Sequence, residues 1–204
     1  MKILGIIPAR KGSITIKNKN LYPICGVPMI EYTIVAAKAS KLDNIIISTD
    51  YDKDLFEDEI FILKRPKHLA NKDAKMIDVI KHASEYFDYD AYMILQPTSP
   101  LRLMEDIDDA IDRFLAEENP KSLYSGYYIG IKHKNKAYNK FKNEPHFQRN
   151  GAIFLFTKEL LMEGKMWDDD VIEFEMPKSR SIDIDDMEDL EIVEALISCD
   201  VLGD

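Results

Sequence analysis

The chain alternates short apolar runs with segments whose apolar positions recur every three or four residues. Lys2 to Pro8 and Asn44 to Thr49 are runs of strand length, the second rich in branched residues. Ile60 to Leu63 and Tyr92 to Gln96 are two more. Runs apolar on both faces are what a buried parallel sheet requires. Between them, Ile30, Ile34 and Ala37 predict a helix with Pro28 at its first position. Met76, Ile80 and Ala83 predict a second helix, and Ile107, Ile111, Phe114 and Leu115 a third. The alternation predicts an α/β fold of three layers, a mostly parallel sheet covered by helices on both faces.

The pattern changes near residue 120. Ser122 to Ile131 reads as a strand, and a polar stretch rich in Lys and Asn follows from Lys132 to Gln148. Ala152 to Phe156, a short helix over Thr157 to Glu163, a strand over Val171 to Glu175 and a closing helix complete the chain. In that last helix Leu190, Val193, Leu196 and Ile197 share a face. No repeat or low-complexity linker divides residues 1–204, so a single domain is expected, with residues 122–148 as a short excursion from its body.

Composition adds one constraint. The 204 residues are 46% hydrophobic and 31% charged, enough apolar content for a sizeable core. The formal net charge of −10 argues against a general nucleic-acid binder. That average conceals a division. Residues 1–30 carry Lys2, Arg10, Lys11, Lys17 and Lys19 and no acid, whereas residues 168–204 carry fourteen acids against Lys178 and Arg180. A basic head and an acidic end can meet around a polyanion and a divalent metal, or both can be solvated faces.

Cys25 and Cys199 form no spacing pattern, which suits a reducing compartment. The apolar run Ile3 to Ala9 is too short for a secretory h-region, and no stretch approaches ~18 apolar residues. A soluble, cytoplasmic protein without a membrane partner is expected.

Four segments carry candidate chemistry. The first is IPARKGSITIKNKN, Ile7 to Asn20, a basic Gly-containing loop directly after the first strand. Ligands of α/β sheets bind at the carboxyl ends of strands, where turned amides can cradle phosphate oxygens. Arg10 offers a planar fork, and Lys17 and Lys19 compact charges. The loop is neither an ATPase P-loop nor a dinucleotide fingerprint. The second is LQPTSPLR, Leu95 to Arg102, in which two prolines stiffen a turn bearing Gln96, Thr98, Ser99 and Arg102. It suits a hydroxyl-rich or carboxylate ligand, or is a plain turn into the next helix.

The third is Arg149-Asn150-Gly151-Ala152. Asn-Gly is a strong hairpin signal, so a structural turn is the default, with the Asn150 amide as a candidate ligand group. The fourth is SIDIDD, Ser181 to Asp186. Alternating Ile182 and Ile184 predict a strand end with Asp183 and Asp185 on one face, ~6.5 Å apart. Two such carboxylates can share a hard cation that takes further oxygens from water and phosphate. Alternatively, Asp185 caps the last helix and Glu188 completes a capping box. His68, His82, His133 and His146 have no zinc-ligand spacing, and Trp167 reads as a packing residue.

In this order the segments resemble the acylneuraminate cytidylyltransferase family, the CMP-sialic acid synthetases and their pseudaminate and legionaminate relatives. The resemblance extends over ISTD at 47–50, RPKHLA at 65–70, LQPTSPLR, RNGAIF at 149–154 and SIDIDD. It implies a Rossmann-like nucleotidyltransferase fold and a role in cell-surface carbohydrate biosynthesis. The implied reaction transfers CMP from CTP to the anomeric hydroxyl of an acidic 2-keto sugar, such as N-acetylneuraminate, legionaminate or pseudaminate, and releases pyrophosphate. By position, Arg10 and Lys19 hold the triphosphate with Ser13, Asn20 contacts the nucleoside and Arg65 the cytidine side. Gln96, Thr98 and Ser99 face the sugar, and Asn150 the phosphate or sugar. Asp183 and Asp185 bind Mg²⁺ and, with Arg10 and Lys19, form the implied catalytic set. The family's habit also implies a homodimer.

The sequence departs from that pattern in three places. Family members commonly have a phosphate-binding Lys where this chain has Ile14, leaving Lys11 and Lys17 as replacements. Small hydroxyl residues expected after RPKHLA are replaced by Asp73, Ala74, Lys75 and Met76. The segment before NGAIF, which serves dimerisation and closure of the sugar site in the family, is short here, though Lys132, Lys134 and Lys136 offer carboxylate contacts. Two alternatives follow: a catalytically degenerate member that binds nucleotide or sugar, or a sugar nucleotidyltransferase with another base or sugar, such as a deoxy-octulosonate enzyme.

Overall fold

A computed structural model describes residues 1–56, 60–129 and 146–199. Its central sheet begins with β1 (Ile3–Ala9), buried at every position. Alternate residues of β1 face opposite layers. Ile3, Ile7 and Ala9 pack on one side and Leu4 and Ile6 on the other, as the two-residue period of a strand dictates. A small hairpin, β2 (Pro23–Ile24) and β3 (Val27–Pro28), leads into α1 (Met29–Ala39). Pro28 stands one residue before the helix instead of within it. Its ψ of 135° is extended and it pairs with Pro23 across the hairpin.

The chain continues through β4 (Asn44–Thr49), β5 (Phe61–Lys64), α2 (Met76–Ser84), β6 (Ala91–Leu95) and α3 (Met104–Leu115). The strands fall in the order β5-β4-β1-β6, all parallel. Then come β7 (Ser122–Ile129), β8 (His146–Thr157), α4 (Lys158–Met162), β9 (Ile172–Glu175) and α5 (Met187–Ser198). β8 inserts antiparallel between β6 and β7, and β9 pairs parallel with β7, giving seven strands in the order β5-β4-β1-β6-β8-β7-β9.

Helices α1 and α3 cover one face of the sheet through Ile30, Ile34, Ile107 and Phe114. Helices α2 and α4 cover the other through Ile80, Ala83, Leu160 and Leu161. Helix α5 packs Leu190 and Val193 on Ile16, Ile24, Leu101 and Ile184, which brings the end of the chain against its beginning. The three layers agree with the fold read from the sequence. No helix among the described residues is long and apolar enough to cross a membrane.

The polar stretch expected over residues 132–148 is shorter than its composition suggests. His146, Phe147 and Gln148 are strand residues paired with Ile129, Tyr128 and Tyr127. Residues 130–145, including Lys132, Lys134 and Lys136, lie outside the described residues.

Candidate active site

The parallel strands deliver their carboxyl ends to one edge of the sheet. Arg10 follows β1, Asp50 follows β4, Arg65 follows β5 and Gln96 follows β6. Because β8 runs the opposite way, its earlier residues Arg149 to Gly151 reach that same edge.

The loop after β1 is tied down locally. The Lys11 amide donates to Asp50 Oδ1 at 2.7 Å, and Asn20 Nδ2 donates to the Arg10 carbonyl at 2.9 Å. Asn18 adopts a left-handed φ of 53°, which Asn tolerates, and turns the chain into the short helical turn bearing Lys19 and Asn20. A cavity of about 230 Å³ results, lined on one side by Arg10, Ser13, Lys19 and Asn20 and on the other by Arg65, Gln96 and Thr98. Five residues implied for the nucleotide therefore meet. Lys11, Ile14 and Lys17 do not line this cavity, and Ile14 is 79% exposed.

Arg65 is a buried cation. Its Nη2 donates to the Ser48 carbonyl at 2.8 Å and its Nε to Ser48 Oγ at 3.3 Å. Burial lowers its pKa to about 10, with Asp50 opposing that shift and Arg10 adding to it, so it remains protonated at neutral pH.

Ser181 to Asp185 have no regular secondary structure and are not part of the sheet, and Ser181 has a ψ of 21°. The adjacent chain is the Gln96–Pro100 turn, whose prolines have no N–H for a ladder, and one backbone bond, Ile184 N to Thr98 O at 2.8 Å, joins the two. The alternation still holds, with Ile182 and Ile184 packed toward α5. The helix is capped one residue later than expected. Asp186 accepts from the amides of Glu188 and Asp189, and Asp189 accepts in return from those of Asp185 and Asp186. The Asp185 side chain is thereby spared from capping.

The basic head and acidic end do meet. Lys19 Nζ lies 3.7 Å from Asp185 Oδ1 and 3.3 Å from its carbonyl oxygen, to which Thr15 also donates at 2.7 Å. Asp183 sits deeper. Its pKa is raised, first by burial and then by the charges of Asp185 and Asp189; the Thr98 hydrogen bond and Lys19 act the other way. Its buried Oδ1 has no hydrogen-bond partner among the described residues. A hard cation accepts such an oxygen. Among the described residues no three His, Cys, Asp or Glu side chains converge, so any metal here would rest on Asp183, Asp185 and substrate oxygens.

Asn150-Gly151 is not a hairpin turn. Tyr124 pairs with Phe154 and Gly126 with Arg149, so β7 advances two residues while β8 advances five, and Asn150 to Ile153 form a wide bulge. A Cβ on Gly126 would collide with the Gln148 carbonyl oxygen, and Gly151 has a φ of 74°. The Asn150 amide is consumed within the protein. Its Oδ1 accepts from Ser125 Oγ at 2.6 Å and the Ala152 amide at 3.1 Å; its Nδ2 donates to Ser181 Oγ at 2.9 Å and Met176 Sδ at 3.4 Å. With two donors and two acceptor positions filled, Asn150 ties the bulge to the segment bearing Asp183 and has no group left over for phosphate or sugar.

Two more polar residues of the LQPTSPLR turn face inward. Ser99 is buried, its hydroxyl has no hydrogen-bond partner among the described residues, and its amide closes the turn by donating to the Gln96 carbonyl at 3.3 Å. Arg102, also buried, donates to the carbonyls of Gln96 at 3.3 Å and Ala152 at 2.7 Å and to Thr33 Oγ1 at 2.8 Å. Burial lowers its pKa to about 9. It joins the turn to the bulge.

A second cavity, about 600 Å³, adjoins the first and shares Gln96 and Met76 with it. Lys75, Arg149 and Lys165 bring three cations to its wall, and Phe154, Met166 and Trp167 are among its apolar residues. The Arg149 guanidinium lies 5.0 Å from the Trp167 ring centre and 5.5 Å from that of Tyr124. Of Gln96, Thr98, Ser99 and Asn150, the residues implied for the sugar, only Gln96 lines this cavity; Thr98 lines the smaller one. Trp167, read from the sequence as a packing residue, is instead 44% exposed in its wall. Arg149 was signalled only as the neighbour of Asn150-Gly151.

The sequence matches the cytidylyltransferase family over residues 4–166. It is 32% identical to an N-acylneuraminate cytidylyltransferase of Escherichia coli O18:K1:H7, over 94% of this chain and 51% of that protein. The chain thus spans about half the length of that relative. It is also 32% identical to a CMP-N,N'-diacetyllegionaminic acid synthase of Campylobacter jejuni, over 97% of this chain and 95% of that one. The fold matches a CMP:2-keto-3-deoxy-manno-octonic acid synthetase solved in complex with CTP, with a TM-score of 0.76 at 16% identity, covering 98% of this chain and 100% of that one.

Proposed function

The chain belongs to the cytidylyltransferase family, and from that premise we propose that it transfers CMP from CTP to the anomeric hydroxyl of a nonulosonic acid. The observation that carries this reading is the pair of adjoining cavities, one small and cationic, the other larger with cations on an apolar wall, joined at Gln96 and Met76. In the reaction the anomeric oxygen bonds to the α-phosphorus, and the bond to the β-phosphate oxygen breaks. Pyrophosphate leaves with that electron pair, and the hydroxyl proton passes to solvent.

Phosphoryl transfer depends mainly on positioning and charge neutralisation. Arg10 and Lys19 supply cations to the triphosphate, and Arg65 lines the same cavity as the residue for the cytidine side. Arg149, Lys75 and Lys165 offer partners for the sugar carboxylate. Asp183 and Asp185 would hold Mg²⁺, which when bound neutralises phosphate charge; the unpartnered Asp183 Oδ1 supports that assignment. The reading includes a homodimer, which rests on the family resemblance, and a cytoplasmic location, which rests on the sparse, unpatterned cysteines.

The test is incubation with CTP, Mg²⁺ and a panel of nonulosonic acids, with pyrophosphate measured. Sugar-dependent release with at least one member is expected. No release across the panel, with CTP binding intact by calorimetry, overturns the reading.

A further inference from the structure

The ladder between β6 and β8 ends at Leu95 and Ile153. Beyond it the strands part, Gln96 entering the proline turn and Ala152 lying in the bulge, and one guanidinium takes the place of the next ladder bonds. Arg102 Nη1 donates to both carbonyls, that of Gln96 at 3.3 Å and that of Ala152 at 2.7 Å. Its Nη2 donates at 2.8 Å to Thr33 Oγ1 on α1, and that hydroxyl in turn donates to the Gln96 carbonyl at 3.5 Å. Three elements far apart in the chain thus meet on one side chain.

The group is a costly one to use for this. Arg102 is 1% exposed, and its hydrogen-bond partners are neutral oxygens. Asp106, the carboxylate whose charge acts on it, is engaged by Arg180 Nε at 3.0 Å and Nη2 at 2.8 Å. Arg102 Nε has no partner among the described residues. Taking a cation out of water without an anion in contact is unfavourable, so stability is a weak reason for this residue. What it fastens is more specific. Gln96 lines both cavities, and Gly151, the residue before Ala152, lies so close to Gln96 and Asp183 that a side-chain carbon there would crowd both.

We propose that Arg102 is a positioning residue for the transfer: by fixing the Gln96 and Ala152 carbonyls to each other, it sets the alignment of the smaller cavity with the larger. This rests on the transfer reading above. Arg102 lines neither cavity, so it acts on how the two reactants meet and not on how tightly either is held. A misplacement of about 1 Å between reacting groups costs on the order of 100-fold in rate.

The full chain is compared with Arg102→Met, which keeps the length and loses every donor, and with Arg102→Lys. Pyrophosphate release is measured with CTP, Mg²⁺ and N-acetylneuraminate, legionaminate or pseudaminate, at a temperature where each variant is fully folded. Phe114→Leu, a core truncation toward the other end of α3, controls for lost stability. In Arg102→Met, kcat is expected to fall about 100-fold, while CTP affinity by calorimetry and KM for the sugar stay within about threefold. Arg102→Lys should regain part of the loss, since it restores the charge without the planar fork. A kcat for Arg102→Met no lower than that of Phe114→Leu overturns the proposal, as does a loss confined to CTP affinity or sugar KM. If Arg102→Met fails to fold, Thr33→Val carries the test, because it removes the hydroxyl that holds Nη2 and keeps the shape. A smaller fall in kcat with affinities retained is expected there, and an unchanged kcat overturns the proposal. Release by the parent with unaffected variants overturns this proposal alone; no release by the parent overturns the transfer reading and this proposal with it.

Discussion

A side-chain carbon on Gly151 would lie 3.1 Å from Asp183 Oδ2, and 3.3 Å from Gln96 Oε1. The bulge of β8 thus brings bare backbone against the carboxylate proposed for the metal and the amide shared by both cavities. Larger residues are disfavoured twice, by the positive φ and by crowding of the carboxylate.

Gly151→Ala is therefore expected to cost about 1–3 kcal/mol of stability from the backbone alone. In a chain of this size that lowers Tm by several degrees. Turnover should fall further than stability accounts for, because Asp183 and Gln96 must shift. Thermal melts and steady-state kinetics at a temperature where the variant is fully folded check both. Full activity would show that the close approach does not matter to the site.

Asp183→Asn should separate stability from activity. The folded protein raises the pKa of this carboxyl above its unfolded value, mainly by burial. The folded state therefore holds the proton more tightly, and stability falls as pH rises from the ordinary carboxylate range through the raised folded pKa. Above that pH the penalty is fully present. The neutral amide lacks it, so Asp183→Asn is expected to melt at least as high as the parent at pH 7, with a flatter dependence on pH in metal-free buffer. Loss of a carboxylate proposed to hold a metal would remove several kcal/mol of charge stabilisation, so turnover should drop about a hundredfold or more. Melts across pH and pyrophosphate release measure the two effects.

The sheet was legible in the sequence because its signal is local. Each of Ile3 to Ala9 is buried, and a run apolar on both faces has few other uses. The Ile182–Ile184 alternation gave the facing correctly but not the pairing, since nothing local encodes that the neighbour is a proline turn. Asn150-Gly151 misled for a related reason. The pair favours a tight turn, but Ser125, Ser181 and Met176, far along the chain, draw its amide into a bulge. Trp167 and Arg149 were missed as cavity residues because an exposed indole and a stacked guanidinium carry no periodic pattern.

Asn150→Ala tests that structural assignment. It strips partners from Ser125, Ser181 and the Ala152 amide, all near the buried interior. Unsatisfied buried groups cost about 1–3 kcal/mol each, so destabilisation of at least that size is expected. A change in KM for the sugar with unchanged stability would instead assign Asn150 to the ligand. Denaturant unfolding beside sugar titration distinguishes the outcomes.

Ile14→Lys examines the departure in the phosphate loop. Ile14 is 79% exposed, so the change should alter stability by no more than about 0.5 kcal/mol. Its neighbour Ser13 lines the smaller cavity, from which a four-carbon ammonium has a short distance to cover. One added charge-assisted contact is worth up to about 1.5–3 kcal/mol, with less expected here because a long exposed side chain must be ordered to make it. The variant should therefore show a KM for CTP several-fold lower, with kcat little changed. The gain should shrink as salt is raised, since an exposed charge is screened over about 10 Å at 0.1 M. A large loss of activity would mean that the loop accommodates its anion without room for a further cation, and that Arg10 and Lys19 already supply the charge it uses.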